Sequence, residues 1–190
     1  RRIDEEKTLP VTLVETEEIL ARSTPTAADF FETITSNGGM TLNETNVLGA
    51  DARGDNVAIN LRGVGSGNTL VLINGRRMAP HPISAAEGGA PSLSVNANQL
   101  PISAASRVEI LRDGSSAIYG SDAAAGVVNT LLRTDYDGAS LTLSGSIPQR
   151  EGGADRRATL AWGQRFTRYT SVTLTMDHFH RDMLRASHRN

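Results

Sequence analysis

Arg107-Val-Glu-Ile-Leu-Arg-Asp-Gly-Ser-Ser-Ala-Ile-Tyr-Gly-Ser-Asp-Ala-Ala-Ala-Gly-Val-Val-Asn-Thr130 is the stretch on which the fold turns. Val108-Glu-Ile-Leu111 is a short apolar run of strand length, and Asp113-Gly114 is a turn pair. Small residues over 123–126 let backbones approach closely and lead into a second apolar strand that ends near Leu132. Two strands joined through small residues imply a sheet with little space for bulky side chains at that join.

Upstream, Leu70-Val-Leu-Ile73 is continuously apolar, as in a strand covered on both faces. Asn74-Gly75 is the favoured two-residue hairpin turn, so the chain reverses there. Val57, Ile59 and Leu61 alternate with Ala58 and Asn60, the pattern of a half-buried strand. Val11-Thr-Leu-Val14 reads as a strand, followed by a helix over 17–21 with Thr16 as its N-cap. Thr26-Ala-Ala-Asp29 fits a capping box, and Phe30, Phe31 and Ile34 supply an apolar helical face behind it. Residues 36–55 and 78–98 are rich in Asn, Gly, Ser and Pro and read as long loops, which inside a compact unit are usually functional or disordered.

Near Asp137-Gly138 the pattern changes to a strict dyad. Leu141, Leu143, Gly145 and Ile147 alternate with small polar residues. So do Ala158, Leu160, Trp162, Gln164 and Phe166, and then Val172, Leu174 and Met176. Three such strands, apolar on one face and small or polar on the other, have the pattern of a membrane barrel wall, and a soluble meander looks similar over so short a span, with composition alone favouring the meander slightly. The fold class is α+β: a small mixed sheet with short helices over 1–138, then antiparallel strands over 139–190.

Composition narrows the function classes. The chain has 190 residues, 38% hydrophobic and 21% charged, with a formal net charge of -2 and no Cys. Nucleic-acid binding lacks the basic face it would need, and a disulfide framework or zinc–thiolate site lacks its sulfur. Gly63-Val-Gly65-Ser-Gly67 is not a phosphate loop, because it leads into a strand rather than a helix N-terminus. His178 and His180 share a strand phase with Asp182, but they continue an apolar stripe past its end, where a barrel strand leaves the membrane. No catalytic set, metal site or cofactor site is read from the residues, so the chain is not expected to be an enzyme. A soluble extracytoplasmic α/β binding module with a β-rich tail stays open as an alternative.

Four blocks in order resemble the plug of TonB-dependent outer-membrane receptors. They are Val11-Thr-Leu-Val-Glu-Thr-Glu-Glu-Ile19, Asn60-Leu-Arg-Gly63, Thr69-Leu-Val-Leu-Ile-Asn-Gly-Arg76 and the 107–130 stretch. The family typically runs Arg-Val-Glu-Val-Leu-Arg-Gly-Pro, then Ser-Ala-x-Tyr-Gly and Gly-Val-Ile-Asn-Ile. Here Asp113-Gly114 replaces Gly-Pro, Asn74 stands where Asp is commoner, and Thr130-Leu131 replaces the usual apolar pair.

The resemblance implies a plug within a barrel of about 22 strands, located in the outer membrane, with 139–190 as the first wall strands. Its apical loops would touch the ligand through Asn37, Asn43, Asn46, His81, Ser84, Glu87 and Asn96. Arg62 and Arg112 match plug arginines that pair with acidic residues of the wall and lock the plug. The implied partners are TonB with the ExbB/ExbD energy-transducing complex, outer-membrane lipid, and a scarce ligand: a siderophore–iron chelate, cobalamin, a saccharide or similar. A TonB box and a secretory signal are expected upstream of Arg1.

Overall fold

The computed structural model describes residues 10–22, 24, 26–38, 57–82, 85–87, 90–112, 116–134, 136–148 and 153–182. They fall into two compact units, Arg1–Leu132 and Arg133–Asn190.

The first unit is built on a five-stranded mixed sheet. Its strands are β1 (Val11–Glu15), β2 (Thr69–Ile73), β3 (Arg76–Arg77), β6 (Ala105–Leu111) and β7 (Gly126–Leu132), in the order β1-β6-β7-β2-β3. Only β2 and β7 run parallel. Helices α1 (Thr16–Ala21) and α2 (Ala27–Glu32) pack on one face. There Phe30 and Phe31, both wholly buried and edge-to-face, meet Val14, Val71, Val108, Ile110 and Val128. Leu70, Leu72, Leu111 and Val127 form a second cluster with Ala123 and Tyr119. As expected, β2 is covered on both sides.

Local rules account for several elements. Thr26 accepts from the Asp29 N–H while Asp29 accepts from the Thr26 N–H, so the capping box forms as read. Asn74 and Gly75 both adopt positive φ (49° and 76°), which two-residue hairpin turns require, and they return the chain to β3.

Three expectations change. Thr16 is the first residue of α1 rather than its cap; the N-cap is Glu15, and the Thr16 hydroxyl donates instead to the Ser106 carbonyl at 2.6 Å. Residues 57–61 are not a half-buried strand. All five are buried at 0–2% exposure, and among the described residues they pair through the bridges Ala58↔Asn96 and Leu61↔Asn37. Alternation in the sequence here reflects an extended segment enclosed on both sides. The 78–98 stretch carries a small antiparallel hairpin, β4 (Ala85–Glu87) with β5 (Ala90–Ser92), and a 3-10 turn at Ala97–Gln99. The one-turn helix α3 (Ser116–Tyr119) was also not legible in advance. The Asp113-Gly114 turn and most of the 36–55 loop lie outside the described residues.

The second unit is one antiparallel sheet of β8 (Gly138–Ser146), β9 (Asp155–Thr167) and β10 (Thr170–Arg181), in the order β10-β9-β8. Leu141 pairs with Leu160 and Leu160 with Met176; Ala139 pairs with Trp162 and Trp162 with Leu174. The apolar dyads therefore share one face, as read. That face is open: Leu141, Leu143, Leu174 and Met176 are each 48–71% exposed. No helix among the described residues is long and apolar enough to cross a membrane.

Candidate functional site

Arg62 and Arg112 lie far apart in sequence but meet at one end of the first unit's sheet. An Arg62 Nη1–H donates to the Arg112 carbonyl at 3.5 Å, and both residues are exposed. Arg62 sits in a tight corner at positive φ (61°). The corner is held from every side. The Arg62 N–H donates to the Ser36 carbonyl at 2.8 Å, and the Gly38 N–H to the Asn60 carbonyl at 2.8 Å. The buried Asn60 accepts the Gly65 N–H at 2.8 Å, and the Leu61 N–H reaches Thr69 Oγ1. A Cβ at Gly38 would lie 2.5 Å from Gly63 Cα, so only glycine permits the approach. The guanidinium of Arg62 is thus mounted on a rigid base, while Arg112 follows the last residue of β6. The Arg62 guanidinium lies against the Arg112 backbone, and exposed arginines suit bidentate pairing with carboxylates.

The residues read as ligand contacts fare unevenly. Asn43, Asn46 and Ser84 lie outside the described residues. Asn37 is employed internally: its side chain donates to the Phe31 carbonyl and accepts the Asn60 N–H. Asn96 is buried, its Oδ1 accepting the Val57 and Asn98 N–H groups, which removes it from a ligand-facing surface. His81 is half-buried, and its N–H donates to the Ser94 carbonyl at 2.8 Å. That bond closes the base of a loop whose β4–β5 hairpin contains Glu87, paired in register with Ala90.

A buried polar network escaped the sequence reading. Glu109 is wholly buried, with its Oε1 2.7 Å from Arg107 Nη2 and its Oε2 accepting from Asn129 Nδ2 at 3.0 Å. Asn129 Oδ1 accepts the Gly75 N–H at 2.9 Å, and Asn74 Oδ1 accepts the Leu132 N–H at 2.9 Å. The motif residues Arg107, Glu109, Asn129 and Asn74-Gly75 thus lie in one connected region across β6, β7 and the β2–β3 turn. The available signal was a Glu and an Asn inside otherwise apolar strands. On the sheet's edge, Arg77 pairs with Asp122 at 2.6 Å and donates to the Tyr119 carbonyl.

In the second unit His180 Nε2 lies 3.3 Å from Asp182 Oδ1. Among the described residues no group of three or more His, Asp or Glu could hold a metal ion.

The TonB-dependent receptor plug domain model matches residues 4–127. The chain belongs to the TonB-dependent receptor plug family. It is 33% identical over 155 residues to the ferric enterobactin receptor PirA of Pseudomonas aeruginosa, covering 80% of this chain and 20% of that protein. It is 31% identical over 108 residues to the iron-regulated outer membrane virulence protein of Vibrio cholerae, covering 55% of this chain and 16% of that protein. Among solved structures it resembles the ferric enterobactin receptor PfeA of P. aeruginosa in complex with enterobactin. The match has a TM-score of 0.71 at 26% identity and covers 92% of this chain and 25% of that chain. The chain spans about a fifth of the length of the first curated relatives it matches. This membership places the chain among outer-membrane receptors, which are not enzymes.

Proposed function

We propose that this chain is the plug, over 1–138, and the opening wall strands, over 139–190, of a receptor that imports a ferric siderophore of the enterobactin class with energy delivered through TonB. The observation that carries the reading is the Arg62–Arg112 pair on its rigid corner, within a chain that matches the plug model over 4–127. The ligand class follows PirA and PfeA, two ferric enterobactin receptors matched over most of this chain.

In the proposed cycle the ligand arrives from outside and contacts the 36–55 segment and the β4–β5 hairpin loop, together with the external loops of the barrel. Carboxylates of the closed wall hold Arg62 and Arg112 and keep the plug seated. TonB joins a segment before β1 by strand addition, where backbone hydrogen bonds give grip without demanding particular side chains. ExbB and ExbD drive the pull, the charge pairs part, and the plug rearranges. No covalent bond is made or broken.

The ligand assignment is tested by equilibrium binding to cells that display the receptor, with ferric enterobactin, cobalamin and a maltooligosaccharide as competitors. Ferric enterobactin alone should displace labelled ferric enterobactin. Displacement by cobalamin or the sugar, or no saturable ferric enterobactin binding, would overturn the assignment.

A further inference from the structure

The sheet of β8, β9 and β10 changes chemistry along a single face. Its rows run Ala139–Trp162–Leu174, Leu141–Leu160–Met176, Leu143–Ala158–His178 and Gly145–Arg156–His180. Successive rows are two residues apart, roughly 7 Å along the strands. The face thus passes from large apolar side chains to a guanidinium and two imidazoles within two rows.

The opposite face at this height is already neutral. Arg157 is gripped by Asp177, with Nε 3.0 Å from Oδ1 and Nη2 2.6 Å from Oδ2, and Thr159 donates to the same carboxylate at 3.2 Å. Arg156 and His178 are exposed, and their side chains make no hydrogen bond or ion pair among the described residues. The acid near this row is Asp182, 3.3 Å from His180. Leu143, Ala158, Arg156, His178 and His180, together with Ser144 and the Asp177-bound Arg157, line an open cleft of about 380 Å³.

Two features choose the occupant. The cleft is continuous with the apolar rows, so whatever fills it is anionic at one end and aliphatic at the other. It also lies at the end of the sheet where residues 147–154 join β8 to β9, whereas Arg168 and Tyr169 alone form the turn at the other end. In membrane barrels the longer connections lie outside and the short turns inside.

We propose that Arg156 and His178, with His180 beside them, bind the phosphate of an anionic lipid headgroup in the outer leaflet, and that the adjoining acyl chain lies over Leu143 and Ala158. The guanidinium fork matches two phosphate oxygens, and the His178 N–H supplies a further donor. Gly145 shares the row with Arg156 and places no side chain over it. The proposal rests on the reading of these strands as barrel wall.

The test uses the full receptor purified from outer membranes in mild detergent. Phosphorylated lipid retained per receptor is counted by native mass spectrometry for the wild type, Arg156→Lys and Arg156→Ala/His178→Ala. Equal yields from the membrane fraction show that the variants insert. The double variant should lose lipid affinity roughly tenfold, as expected for losing about 1.4 kcal/mol of contact, and Arg156→Lys, which keeps the charge but loses the fork, should fall between it and the wild type. Added inorganic phosphate should not displace the lipid. Equal retention by wild type and double variant would overturn the site, and displacement by inorganic phosphate would make it a free-anion site instead. A fluorophore on Leu141→Cys in the reconstituted receptor separates the two failures. Quenching by a lipid-borne quencher keeps the wall reading even if the phosphate site fails, whereas absence of quenching defeats both.

Discussion

Replacing Arg107 by Met should destabilise the 1–132 unit by about 3 kcal/mol, the low end of the ~3–5 kcal/mol cost of breaking a buried ion pair from one side. Glu109 is wholly enclosed and the Arg107 side chain is 15% exposed, with 2.7 Å between their charged atoms. At an effective dielectric of about 20, a pair at that distance attracts by about 6 kcal/mol. Partial access of water to Arg107 discounts that figure, and removing the cation leaves the carboxylate's desolvation without its main compensation. In the Arg107→Met background, Glu109→Leu should then restore about 2 kcal/mol, because the uncompensated charge is gone. Urea unfolding of the 1–132 unit, followed by far-UV circular dichroism, reads both effects as midpoint shifts. With slopes of about 1–3 kcal/mol per molar, the single substitution should lower the midpoint by roughly 1–3 M. A loss below about 1 kcal/mol in the single variant, or a double variant no better than the single, would refute the view that β6 carries a buried, charge-dependent clamp.

Thr26→Ala should cost about 1 kcal/mol in the same assay, since it removes the hydroxyl that accepts the Asp29 N–H and leaves only the backbone arm of the α2 capping box; an unchanged midpoint would show that α2 is held by packing alone. Arg62→Ala and Arg112→Ala should each loosen the seated plug by leaving a wall carboxylate without its partner, roughly 1–3 kcal/mol. Entry of a large antibiotic into cells carrying the full receptor measures this, and wild-type exclusion in both variants would count against the lock. Limited proteolysis of the 190-residue chain in detergent-free buffer should trim the 139–190 segment and spare the mixed sheet. Both outer edges of the β10-β9-β8 sheet lack a neighbour in it, and its apolar face is open. A resistant 139–190 segment would mark it as a soluble sheet.

Elements governed by local chemistry were legible in the sequence. The Thr26–Asp29 box, the Asn74-Gly75 turn and the dyads of β8–β10 each state their geometry within a few residues. What could not be read depends on partners distant in sequence. Residues 57–61 alternate like a strand, yet Asn37 and Asn96 enclose them from both sides. Asn37 and Asn96 themselves resemble loop groups available to a ligand, and only the fold shows their amides already engaged. The arginine pair lay between these cases. The motif context named Arg62 and Arg112, while their meeting required the corner built by Ser36, Gly38 and Asn60.

TonB-dependent uptake tests the central claim most directly. The full receptor is expressed in a Gram-negative host stripped of its own siderophore receptors, and accumulation of iron-55 from ferric enterobactin is followed with and without a functional TonB. The account predicts steady accumulation in TonB-positive cells and surface binding without accumulation when TonB is absent. Equal accumulation in both strains would contradict it, because a plug that needs no pull is not the gate described here.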